Sequence, residues 1–134
     1  MPSREIITDS DVCRLAARWK VALDTMDRVW LASQNFLMET GRPVSIISGW
    51  RSAAEQRRLS RQGRPTAADD RSTHRSCPAT GVDVSLGPLP SNFMKATWGR
   101  ITLTHGLRWG GGGAVDPQSG IPIDWRHVDT GPRS

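Results

Sequence analysis

Between Asp11 and about Glu39, apolar residues recur as Val12, Leu15, Ala16, Trp19, Leu23, Met26, Val29, Trp30, Phe36 and Leu37, the spacing of one helix face. A single long helix is expected, capped by Asp9 or Ser10 and stopped by Gly41 with Pro43 beyond it. The period then changes. "VSIIS" (Val44 to Ser48) is short and β-branched, which reads as a buried strand. After a turn at Gly49, "SAAE" (Ser52 to Glu55) has the form of a capping box and opens a second helix that ends near Gly63. The polar stretch from Arg64 to Thr73 has no period and reads as a loop. "TGVDVSL" (Thr80 to Leu86) alternates as a strand does and is broken by Pro88 and Pro90. Ser91 can cap a third helix running to about His105, with Phe93, Trp98 and Ile101 facing inward. "LRWGG" begins a strand, Gly110 to Gly113 form a mobile turn, and "IPIDWRHVD" is the last strand. This order predicts an α+β domain with helices packed on one face of a small, largely antiparallel sheet.

Composition narrows the reading a little. A chain of 134 residues fits one domain with a real core, and no internal repeat or linker divides residues 1–134. Its two cysteines, Cys13 and Cys77, are too few for a disulfide framework or a four-cysteine zinc site. The N-terminus has no uninterrupted apolar core, and no window approaches the ~20 apolar residues of a membrane span. A soluble protein with no signal peptide of its own is expected. The formal charge of +5, with arginine far outnumbering lysine, suits an anionic partner: nucleic acid, an anionic wall polymer or a carboxylate-rich peptide. "RSAAEQRRLSRQGR" carries five of these arginines but patterns as an ordinary solvated helix. No basic stretch is interleaved with aromatics in the manner of single-strand binders, so nucleic acid is not the expected partner.

Candidate chemistry is concentrated in the histidines. Two of the three stand beside carboxylates: His74 with Asp83, and His127 with Asp124 and Asp129. The third, His105, lies at the end of a predicted helix, where an imidazole can meet free carbonyls. Zinc binds imidazole nitrogen and carboxylate oxygen, and a hydrolytic site uses three protein ligands and leaves a fourth position to water. His74, Asp83 and His127 supply such a set, and Asp124, three residues before His127, is placed to take a proton from that water. Residues three apart on a regular strand point to opposite faces, so Asp124 and His127 converge only if the backbone around Trp125 and Arg126 is irregular.

These residues resemble a known family. "STH" (Ser72 to His74), "ATGVD" (Ala79 to Asp83), the tryptophan-glycine stretch "HGLRWGGG" (His105 to Gly112) and the closing "DWRH" (Asp124 to His127) are similar to the motifs of the zinc D-Ala-D-Ala metallopeptidases. That family includes the VanX and VanY enzymes and the L-alanyl-D-glutamate endopeptidases of phage endolysins. The resemblance runs from about Val44 to Asp129. It implies the hedgehog/DD-peptidase-like fold, Zn2+ held by His74, Asp83 and His127, and Asp124 as general base. "SGWRS" (Ser48 to Ser52) resembles the family's "GYRS" turn, which implies that Arg51 polarises the scissile carbonyl or holds a substrate carboxylate. By the same analogy Ser72 binds substrate or orients the ligand loop. Two departures stand out: His74 and Asp83 are two residues further apart than in the short form of the motif, and "HVD" replaces "HFE", which leaves Asp129 without an assigned role.

Trp19 and Trp30 follow the first helix's apolar stripe and read as core, whereas Trp50, Trp109 and Trp125 flank the motifs. Trp109 and Trp125 are therefore candidates, with Arg51 and Ser72, for a peptide groove. The expected activity is zinc-dependent hydrolysis of an amide bond in bacterial cell-wall peptides, with endopeptidase and carboxypeptidase both open and no separate wall-binding domain. The resemblance points to a bacteriophage lysin, in the host cytoplasm before lysis or on the virion or tail, with other virion proteins as partners. The competing expectation is a virion structural subunit that keeps the peptidase fold with little or no activity.

Overall fold

The computed structural model describes residues 4–8, 11–62, 73–75 and 78–131. Five strands, β1 (Glu5–Ile7), β2 (Val44–Ser48), β3 (Gly81–Ser85), β4 (Arg108–Trp109) and β5 (His127–Asp129), form one sheet in the order β1-β2-β3-β5-β4. Every neighbouring pair is antiparallel. Among the described residues four helices accompany them: α1 (Val12–Trp19), α2 (Leu23–Thr40), α3 (Ala53–Arg61) and α4 (Asn92–Thr104). No described helix is long and apolar enough to cross a membrane. The expected α+β architecture is the one observed.

Register assigns the strand residues to two faces. Val82 pairs with Val128 and Asp83 with His127, so Val82, Val84 and Val128 point one way while Gly81, Asp83, His127 and Asp129 point the other. The first face packs Val44, Ile46, Val82, Val84 and Val128 in one core with Leu15 and Trp19 of α1, Met26, Val29 and Phe36 of α2, and Trp98 and Ile101 of α4. Phe36 meets Trp98 edge to face, with ring centroids 5.7 Å apart. On the second face β2 changes register between Ile46 and Ser48, which brings Ser48 opposite Asp83.

Several boundaries differ from the sequence reading. The long helix is two helices, because Lys20 adopts the left-handed conformation (φ 54°) and ends α1. Val21 then donates to Ala16 O at 2.9 Å, a Schellman-type closure, and residues 20–22 exchange backbone bonds with Ala79. The helix breaks where its backbone finds partners across the fold. Asp11 caps α1 by accepting from Cys13 N, and Asp9 and Ser10 lie outside the described residues. Phe93 is 76% exposed and not inward: the buried stripe of α4 runs Thr97, Trp98, Ile101 and Thr102, and in the first turn it is Met94 that packs against the core. β5 is only three residues long, since 123–126 form a turn and Pro122 pairs instead with Val115. The expected irregularity around Trp125 and Arg126 is present. Gly110–Gly112 form a single 3-10 turn, and β1 is a strand that the sequence reading missed.

Other elements match closely. β2 has the predicted limits, Ser91 caps α4 by accepting from Met94 N at 3.2 Å, Glu55 N donates to Ser52 Oγ at 3.2 Å, and Gly41 (φ 73°) ends α2. The expected loop 64–73 lies outside the described residues except for Thr73, as do Cys77 and Ser72.

Candidate metal centre

The second face of the sheet closes around a polar cluster. Asp83 of β3 and His127 of β5 are register partners, so sheet geometry alone sets their side chains next to each other. His74 arrives from the segment before β3, which is tied down by Arg51 N donating to His74 O at 2.8 Å and Thr80 N to Thr73 O at 2.9 Å. His74, Asp83 and His127 are all buried, and one potential ligand atom from each lies within 4.8 Å of the others.

Three atoms face a common point. His74 Nε2 lies 3.1 Å from His127 Nδ1 and 3.2 Å from Asp83 Oδ1, and His127 Nδ1 lies 3.1 Å from the same Oδ1. Donor atoms of a tetrahedral zinc site, ~2.0–2.1 Å from the ion, stand ~3.3 Å apart, so the spacing suits such an ion. The outward-facing atoms are each held by a neighbour. His74 Nδ1 donates to Gly49 O at 2.7 Å, Arg51 grips Asp83 Oδ2, and Asp129 Oδ2 accepts from His127 Nε2 at 2.7 Å. A buried pair of imidazoles and a carboxylate with their second polar atoms restrained in this way fits a metal ion.

Electrostatics follow from these contacts. Burial lowers the pKa of His74, with Asp83 pulling partly against it, so this imidazole is neutral at neutral pH. Burial opposes charge on His127 as well, but its hydrogen bonds with Asp129 and Asp83 prevail and raise it to about 9. Burial would raise Asp83, yet His74, His127 and Arg51 together hold it well below the usual carboxylate range. Asp129 is likewise lowered, burial being outweighed by His127 and Arg108.

The remaining expected residues divide. Arg51 is 3% exposed and belongs to the cluster, with Nε donating to Ser48 Oγ at 3.0 Å beside its contact with Asp83. Asp124 is half-buried in the turn before β5, and its carbonyl accepts from His127 N at 3.0 Å; it is not one of the three converging ligands. Trp109 is half-buried across Gly99 of α4, its indole donating to Trp125 O at 2.9 Å. Trp125 is buried, with Lys95 Nζ 5.0 Å and Arg126 Cζ 4.3 Å from its ring centroid. His105 stays away from the cluster, capping α4 and meeting Asn35 Oδ1 at 3.2 Å.

Two features of the site escaped the sequence reading. Asp129 is fully buried behind His127 and is met by Arg108 Nε at 2.6 Å and a second Arg108 nitrogen at 3.1 Å. The "HxD" spacing is the signal that could have found it, because residues two apart on a strand share a face. Gly81 and Gly111 flank the His127 ring: a Cβ built on them would stand 2.9 Å from its Cε1 and 3.0 Å from its Cδ2. The polyglycine turn therefore packs over the imidazole, and at Gly111 (φ 63°) its backbone is also one that L side chains rarely adopt.

The fold and cluster thus define a small α+β domain with a buried His-Asp-His group that could hold a metal ion. A scan against protein-family models and a search of curated proteins find no match. Among solved structures, the chain is similar to the Serratia marcescens L-Ala D-Glu endopeptidase ChiX, with a TM-score of 0.54 and 22% sequence identity over 82% of this chain and 80% of that one. At that identity the likeness shows the shared fold.

Proposed function

We propose that the protein is a zinc-dependent peptidase that hydrolyses an amide bond in peptidoglycan peptides. The observation that carries this reading is the convergence of His74 Nε2, His127 Nδ1 and Asp83 Oδ1 at 3.1–3.2 Å, in a fold shared with an L-Ala D-Glu endopeptidase. His74, Asp83 and His127 would hold the zinc. When bound, the ion supplies Lewis acidity and lowers the pKa of a water toward ~7. Asp124 is the base that would take a proton from the attacking water and, as the carboxylic acid, return it to the departing amine. Arg51 adds to His74 and His127 in keeping Asp83 ionised, and its fixed charge is the donor assigned to the substrate's carbonyl or carboxylate oxygen. Ser72, Trp109 and Trp125 remain the proposed groove residues. A structural subunit without activity has no need of three ligands with each second polar atom restrained, so the catalytic reading is preferred.

The test is mass spectrometry of fragments released from purified peptidoglycan, with a chelator-treated sample and Asp124→Ala alongside. New amino termini at D-Glu are the expected product, lost with chelator and reduced ~100-fold or more in the variant. Zinc-loaded protein that releases nothing from several wall types overturns the proposal.

A further inference from the structure

We infer that Asp129 and Arg108 are positioning residues for His127, fixing which ring nitrogen faces the cluster; this rests on the metal-site reading above. The geometry is a relay across three strands' worth of sheet. Arg108 of β4 and Asp129 of β5 are register partners, and Asp129 shares a face with His127, two residues earlier. Asp129 Oδ1 accepts from Arg108 Nε at 2.6 Å and Gly131 N at 2.9 Å, while Oδ2 accepts from Arg108 at 3.1 Å and from His127 Nε2 at 2.7 Å. With Nε2 committed as a donor to a carboxylate, Nδ1 is the nitrogen that offers a lone pair once its proton is displaced, and Nδ1 is the one that faces His74 and Asp83. Arg108 clamps the carboxylate by two parallel bonds and so orients it. Gly81 and Gly111 leave the ring only the space it occupies.

Asp129→Asn separates this role from a merely structural one. Each carboxylate oxygen meets two donors, but Arg108 Nε and Gly131 N at Oδ1 can only donate, whereas His127 Nε2 at Oδ2 becomes an acceptor if its proton moves. The asparagine therefore keeps its oxygen at the Oδ1 position and turns its amide nitrogen toward His127, giving up the second Arg108 bond. That nitrogen donates to Nε2 and drives the ring proton onto Nδ1, the wrong atom for binding a metal. Zinc affinity, measured by competition with a chromophoric chelator on protein shown to be folded by circular dichroism, is expected to fall ~10–100-fold. Arg108→Gln, at a half-exposed side chain, keeps the carboxylate and is expected to lose less. In zinc-loaded wild type, proton NMR is expected to show a slowly exchanging, downfield His127 Nε2 proton that Asp129→Asn lacks. Wild type that binds zinc, with both variants within threefold of it and the downfield proton retained in Asp129→Asn, overturns the inference alone. Wild type that binds no zinc overturns the metal-site reading and the inference with it.

Discussion

The two faces of the sheet are built from alternate residues of the same strands and are equally closed to water, yet they are closed by different means. Val82, Val84 and Val128 are 0% exposed, and their neighbours along the same strands, Asp83 and His127, are 3% and 7%. The first set is covered by helices and its stability is additive packing, where each side chain contributes by the area it removes from water. The second set is covered by a network in which every polar atom depends on its neighbour, from Arg108 through Asp129, His127 and Asp83 to Arg51. Such a network costs desolvation and is retained for what it positions. Period two thus lets one five-stranded sheet separate the residues that make it fold from those proposed to act.

The largest effect expected on stability alone comes from the first face. Trp98→Ala removes the largest fully buried side chain and its edge-to-face contact with Phe36, and should cost ~3–5 kcal/mol in urea denaturation. Its remaining folded fraction should bind zinc as wild type does. A matching loss of zinc affinity would show that the two faces are coupled. His74→Ala is the converse. This imidazole is neutral and makes one backbone bond through Nδ1, so the metal-free fold should survive its loss. Zinc affinity should fall by more than the ~10–100-fold typical of residues behind a ligand. Calorimetric titration of the variant with zinc would check this, and wild-type affinity would remove His74 from the ligand set.

Gly81→Ala sits at the meeting of the two designs. The added Cβ would press on Thr73 Oγ1 and stand 2.9 Å from His127 Cε1, so either the ring or the strand must move. Overpacking of this kind costs ~1–3 kcal/mol. With the network interlocked at these distances, the thermal melt should move down and zinc affinity should drop together, whereas Gly120→Ala, with open space around it and a strained φ of +73°, should affect stability only.

The same contrast explains what could be read from sequence. Packing elements announce themselves by period, so β2, β3, the cap at Ser91 and the α4 core residues Trp98 and Ile101 were all legible. So were His74, Asp83 and His127 as a set, because few other residue types can converge on a metal. Where non-local pairing decides, the pattern is silent. The helix stripe runs unbroken through Lys20, and only the backbone bonds to Ala79 reveal the break. β1 is three residues that become a strand by pairing with Val44–Ile46. Asp129 looked like a replacement of uncertain use until Arg108 appeared opposite it on β4.

The smallest effect, and the one that reads the network directly, is on pH. In the metal-free protein His127 titrates at about 9, while His74 and Asp83 are both lowered and change little between pH 6.5 and 9. At pH 7.5 zinc must therefore displace one proton, from His127. Affinity should rise ~10-fold per pH unit and level off near pH 9, and titrations in buffers of different ionisation enthalpy should report about one proton released per zinc. Stability of the metal-free protein should run the other way. A histidine whose pKa is raised by folding contributes fully below its unfolded value near 6.5, and that contribution is lost as pH climbs through 9. The metal-free melting temperature should fall over this window while the zinc-loaded one holds, because the ion takes the place of the proton between Asp83 and His127. Parallel pH profiles for the two forms would mean that zinc does not bind at His127 Nδ1.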